Sequence, residues 1–104
     1  MREIHEVFSA FKEEFPMVND RHEALGEEIH ERSGPLPDKA RWLLKIAISA
    51  TSGHKLALET HILKGRESGL TDGEIKHALL LLIPTVGFPA FMEAYSVFNS
   101  VRSA

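Results

Sequence analysis

Asp38-Lys39-Ala40-Arg41-Trp42-Leu43-Leu44-Lys45-Ile46-Ala47-Ile48-Ser49-Ala50-Thr51-Ser52 is the stretch whose reading decides the fold. Its apolar residues recur with the 3.6-residue period of a helix, and they leave only the narrow polar line Asp38, Arg41, Lys45, Ser49 and Ser52. The pattern predicts a third helix from Lys39 to about Thr51, opened by Pro37 and Asp38 and nearly enclosed by its neighbours. Gly53 breaks the period, and Thr51 or Ser52 can cap a fourth helix that runs to about Ser68. Gly69 followed by Leu70 is the left-handed residue and hydrophobic contact of a Schellman ending. Thr71-Asp72-Gly73-Glu74 has capping-box spacing and starts a fifth helix through Ile83, which Pro84 ends or kinks. Gly87 and Pro89 mark a turn into a sixth helix with Phe91, Ala94, Tyr95, Phe98 and Val101 on one face.

Towards the N-terminus, Ile4, Val7, Phe8, Phe11 and Phe15 share one face of a first helix that stops before Pro16. Asn19 or Asp20 can cap a second, with Asp20 and Glu23 at capping-box spacing, running to about Arg32 and ending at Ser33-Gly34-Pro35. Its apolar stripe of Ala24, Leu25 and Ile29 is thin, as for a peripheral helix. No segment alternates apolar and polar residues, so the expectation is an all-α fold of about six helices in a single domain, residues 1–104.

Composition narrows the function. The 104 residues include no cysteine, which excludes disulfides, thiolate metal sites and every cysteine-nucleophile mechanism. Twelve basic against fifteen acidic residues, with no basic cluster, argue against a nucleic-acid partner. The longest unbroken apolar stretch, Ala78 to Ile83, is far below membrane-spanning length, and Met1 to Glu6 lacks the apolar run of a secretory leader. A cytoplasmic protein with no membrane partner is the expectation. A chain this short gains much from oligomerisation. Ala78 to Met92 is apolar on more sides than a small monomer can cover, which points to the fifth and sixth helices, with Phe88, Phe91 and Met92, as a contact between copies.

The chemistry-bearing stretch is Gly53-His54-Lys55-Leu56-Ala57-Leu58-Glu59-Thr60-His61. At helical spacing His54, Ala57, Leu58, His61 and Gly65 share a face, whereas Glu59 lies well round from both histidines. Seven residues at 1.5 Å rise separate the histidine backbones by about 10.5 Å along the axis, too far for this helix alone to close both rings on one metal ion. No metal and no cofactor are expected. A small ligand lying along the face is easier to accommodate. His54 sits in the first turn, where the helix dipole disfavours an imidazolium, and a neutral ring there can accept a proton or a hydrogen bond. His61 lies among Leu58, Ile62 and Leu63. Both can serve acid–base chemistry; the alternative is that His61 is a core histidine held by a backbone carbonyl and His54 an ordinary helix-start residue. His5, His22 and His30 lie on acidic faces and read as solvated; His77, after Glu74 and Lys76, is a weaker candidate, and Trp42 on an apolar helix reads first as core.

The landmarks Lys45-Ile46-Ala47-Ile48-Ser49-Ala50, His61, Gly69-Leu70-Thr71-Asp72-Gly73-Glu74-Ile75 and Val86-Gly87-Phe88-Pro89-Ala90 follow one another in an order and spacing that resembles the carboxymuconolactone decarboxylase family, which includes the alkyl hydroperoxidase D-like proteins. The resemblance covers a core of about residues 37–101. It implies that His61 matches the family histidine, that His54 and Ala57 stand where the peroxidase branch has its cysteine pair, and that Trp42 stands at the glutamate position. The chain therefore resembles the decarboxylase branch more closely and is expected to lack thiol peroxidase activity. What the resemblance implies is a small-molecule enzyme acting on a carboxylate or lactone substrate. His61 would be its general acid/base and His54 would polarise or orient the substrate, with Ala57, Trp42 and Leu58 binding it. The subunits would form a homo-oligomer, a trimer or hexamer. The alternative is a non-catalytic ligand-binding oligomer, or one binding metal between subunits, that has lost the family's catalytic groups.

Overall fold

Residues 2–101 are described in the computed structural model, with side chains from Glu6 onward; the expected facing of Ile4 and exposure of His5 lie outside the described residues. Among these residues every regular element is helical: α1 (Arg2–Glu14), α2 (Pro16–Arg32), α3 (Asp38–Ser52), α4 (Lys55–Glu67), α5 (Asp72–Leu80), α6 (Leu82–Thr85) and α7 (Phe88–Ser100). The all-α expectation holds, with the fifth predicted helix divided into α5 and α6. Contacts group the chain into two compact units, one through Pro35 and one from Leu36 onward.

In the first unit α1 and α2 pack on each other, and the Phe11 and Phe15 rings meet at 5.9 Å. The second helix starts earlier than the Asn19 or Asp20 cap predicts. Pro16 occupies the opening turn of α2, where its fixed φ suits the helix and its missing N–H leaves no bond unmade, so the Asp20 capping box does not form. Leu25 and Ile29 are exposed, in keeping with the thin stripe.

In the second unit α3 touches α4, α5 and α7, and α7 closes against α3, α4, α5 and α6. The core is Ile46 and Ala50 of α3, Leu58 and Ile62 of α4, Leu70, Ile75, Leu79 and Leu82, and Phe91, Ala94, Val97 and Phe98 of α7. Two expectations need correction. The third helix is not nearly enclosed: Leu44 and Ile48, one turn apart and turned away from Ile46, are 47% and 63% exposed. Phe91 belongs to the core and not to a surface cluster, because it continues the buried ridge of Ala94 and Phe98 and stacks on Tyr95 at 5.4 Å; Phe88 and Met92 do remain exposed.

Three turns at the ends of α3, α4 and α5 orient these helices. Gly53 takes a left-handed φ of 72°, and the amides of Gly53 and His54 donate to the Ala50 and Ser49 carbonyls at 3.3 and 3.1 Å. The last turn of α3 is thereby completed through Ser52, and His54, instead of Thr51 or Ser52, precedes the first residue of α4. At the other end of α4 the predicted Schellman ending is present, Leu70 N–H donating to the Gly65 carbonyl at 2.9 Å and Gly69 N–H to Arg66 at 3.0 Å. Leu70 folds back over Gly65 so closely that a Cβ there would lie 2.7 Å from its Cδ1. The Thr71 capping box is complete in both directions, Glu74 N–H to Thr71 Oγ1 at 3.0 Å and Thr71 N–H to Glu74 Oε1 at 2.9 Å. The helix it starts ends at Leu80 and not at Ile83, since Pro84 has no N–H for the Leu80 carbonyl and its ring crowds that turn. No helix among the described residues is long and apolar enough to cross a membrane.

Candidate functional site

The Gly53 turn sets His54 at the mouth of a cavity of about 100 Å³ formed by the end of α3, the start of α4 and one face of α7. Ser49, His54, Lys55 and Glu93 give its walls polar groups, and Ala50, Leu58, Ala90, Ala94 and Val97 are among its apolar ones. Of the predicted site residues, His54 and Leu58 line this space. Ala57, His61 and Trp42 are not among its lining residues.

His61 reaches it at one remove. Its Nδ1 lies 2.8 Å from Ser49 Oγ and 3.3 Å from the backbone carbonyl of Lys45. A carbonyl oxygen can only accept, which favours the tautomer with the proton on Nδ1; in it Nδ1–H donates to Ser49 Oγ and more weakly to Lys45, whereas with the proton on Nε2 the Ser49 hydroxyl would donate to Nδ1. The ring is half-buried, and the Trp42 indole lies against it at 6.1 Å with the planes tilted by 53°. Trp42 in turn holds the Lys45 ammonium 4.5 Å over its own face and packs on the core, so it is both a structural wall and the neighbour of the imidazole.

Ser49 is the residue that sequence reasoning passed over, as one member of a polar line. It is 5% exposed, its hydroxyl meets His61, its carbonyl accepts the His54 amide, and it lines the cavity. The only signal for it in the sequence is a small polar residue one turn before a helix-ending glycine. Glu59, set aside because it lies round the helix from the histidines, is buried as well. Among the other histidines, His22 is exposed as expected, and the weaker candidate His77 is exposed on α5. His30 corrects that reading: its side chain is 7% exposed and Nε2 lies 3.7 Å from the Glu31 carboxylate.

The whole region from α2 to the end of α7 has a counterpart among known proteins. Residues 16–100 match the carboxymuconolactone decarboxylase family. The chain belongs to that family. This carboxymuconolactone decarboxylase family member carries no cysteine, so the protein groups its site can offer are imidazole, hydroxyl, ammonium and carboxylate. Its fold is similar to that of an apo-form family protein from Legionella pneumophila, with a TM-score of 0.80 over 98% of this chain and 93% of that one at 19% identity. No curated protein matches the chain.

Proposed function

We propose that the protein is a small-molecule enzyme of decarboxylase or lactone type, closer to the decarboxylase branch of its family than to the thiol peroxidases. In this reading His61 is the general acid/base, His54 orients or polarises a carboxylate or carbonyl group, and Leu58, Ala57 and Trp42 shape the substrate's surroundings. The observation that carries it is the 2.8 Å pair between His61 Nδ1 and Ser49 Oγ beside a cavity whose mouth holds a second imidazole. Protons can be exchanged there without a thiol, whereas peroxide reduction in this family needs a thiolate and a resolving thiol. The test is turnover of a panel of small lactones and carboxylates by the native chain and by His61→Ala. Loss of about 10²- to 10⁴-fold in rate in a folded variant supports the reading, and unchanged turnover overturns it.

A second reading, a non-catalytic ligand-binding protein, is favoured by Trp42 and Ala57 standing at two positions where the resemblance places catalytic groups. Stabilisation by panel compounds with no turnover would select it. Either way the chain is taken to associate with copies of itself, because Leu80, Leu81, Val86, Phe88 and Met92 are all exposed on or beside α5 to α7, and the family resemblance implies a trimer or hexamer, in the cytoplasm by expectation. Light scattering at the monomer mass would refute this.

A further inference from the structure

We propose that Ser49 is the group of this cavity that touches the ligand, that it donates its hydroxyl to a carboxylate or carbonyl oxygen, and that His61 acts through it. The inference rests on the reading of the cavity as a small-molecule site and changes who makes the contact. Ser49 lines the cavity and His61 does not. In the Nδ1–H tautomer that the Lys45 carbonyl favours, the imidazole donates to Ser49 Oγ, and the serine's own proton is then directed elsewhere. A hydroxyl that accepts one hydrogen bond and lines a cavity is arranged to donate the next one into it. The space is about 100 Å³, the size of a compact polar group and not of a large substrate, and Lys55 and His54 on its walls suit an oxygen that is negative or becomes so, against the opposing charge of the Glu93 carboxylate that shares those walls.

This contact requires no proton to leave the ring. The neutral imidazole keeps its proton on Nδ1 and donates it to Ser49 Oγ, and the Ser49 hydroxyl donates in turn to the ligand oxygen, so His61 acts by orienting and polarising the serine. Oγ forms no bond to carbon.

Acetate is the probe. It is titrated into the full chain with histidine side chains labelled with ¹⁵N, and the His61 ring nitrogens report both tautomer and ligand contact. In the native chain and in Ser49→Thr, which keeps the hydroxyl, acetate shifts the His61 Nδ1 signal saturably. In Ser49→Ala, and in Ser49→Cys, which keeps the volume should the alanine variant fold poorly, the affinity drops by about tenfold or more and the Nδ1 signal no longer follows acetate. An undiminished His61 response in those variants overturns the proposal, as does acetate that shifts neither His61 nor His54 in the native chain. Should His61→Ala abolish turnover while Ser49→Ala leaves acetate binding intact, this inference fails and the proposed function stands. Should His61→Ala leave turnover unchanged, it is the proposed function that fails.

Discussion

Two hollows flank α3, and they differ in nearly everything. The one against α4 and α7 measures about 100 Å³ and gathers a hydroxyl, an imidazole, an ammonium and a carboxylate. The other, against α5 and α6, measures about 360 Å³ and is walled largely by Leu43, Leu44, Ala47, Ala78, Leu81, Leu82 and Val86, with Glu74, His77, Thr51 and Thr85 as its polar groups. Thr51 borders both. Size would select the second as the working site, and chemistry selects the first, because there a buried polar group is fixed by an imidazole. The larger hollow, with exposed Leu44, Leu81 and Val86 at its walls, has the character of a surface that another apolar surface covers. In the proposed reading α3 serves twice, with a polar end for ligand and an apolar flank for assembly.

The strongest way to break this contrast is to substitute on each side and compare. His61→Ala is expected to lower any turnover by about 10²- to 10⁴-fold while leaving the melting transition near native. Met92→Glu or Leu81→Glu is expected instead to lower the mass seen by light scattering, since each places a charge on an exposed apolar residue outside the core. If His61→Ala unfolds the protein, the imidazole is a packing residue and the two hollows lose their division of labour.

Smaller effects sharpen the framework that both hollows share. Gly65→Ala would bring a methyl to 2.7 Å from Leu70 Cδ1, with Ile46 Cδ1 at 3.5 Å, so the buried Leu70 must move; a loss of about 1–3 kcal/mol in denaturant unfolding is expected. Thr71→Ala removes one half of the capping box and should cost about 1 kcal/mol. The Glu74 carboxyl is held below its usual range, first by the Thr71 backbone N–H and then by the Lys39 ammonium at 3.8 Å. A depressed carboxylate stabilises the fold fully above its unfolded value and loses that contribution as pH falls through the folded one. Glu74→Gln should therefore flatten the acid limb of the stability profile and leave the neutral region with only the loss of the cap; an unaltered acid limb would show that Glu74 is not the group responsible.

Much of the framework was legible because it is local. The period of the apolar residues marks the helices, Gly69-Leu70 marks a Schellman ending, and Thr71 with Glu74 marks a capping box, each determined by residues within one turn of each other. What escaped depends on contacts across the fold. That α3 exposes Leu44 and Ile48 follows from where α4, α5 and α7 pack, which periodicity on one helix does not contain. Pro16 reads equally well as the end of one helix or the first turn of the next. The break at Leu81 comes from Pro84, whose effect was legible but whose reach back to the Leu80 carbonyl shifted the stop by three residues. At the site, His54 and His61 stood out by spacing, but the serine that links them lies on the preceding helix, twelve positions before His61, and only packing of α3 on α4 brings them together.

That linkage has a genetic consequence. Ser49 holds the ring of His61 by its hydroxyl, so these two positions form one unit of variation, whereas its bond to His54 joins backbone to backbone and is indifferent to either side chain. Substitutions at Ser49 and His61 should be epistatic by about 0.5–3 kcal/mol in a double-mutant cycle, whereas either paired with exposed His77 should add independently. A lineage that lost the hydroxyl at Ser49 would lose the contact that constrains His61, so the two positions should be kept or exchanged together.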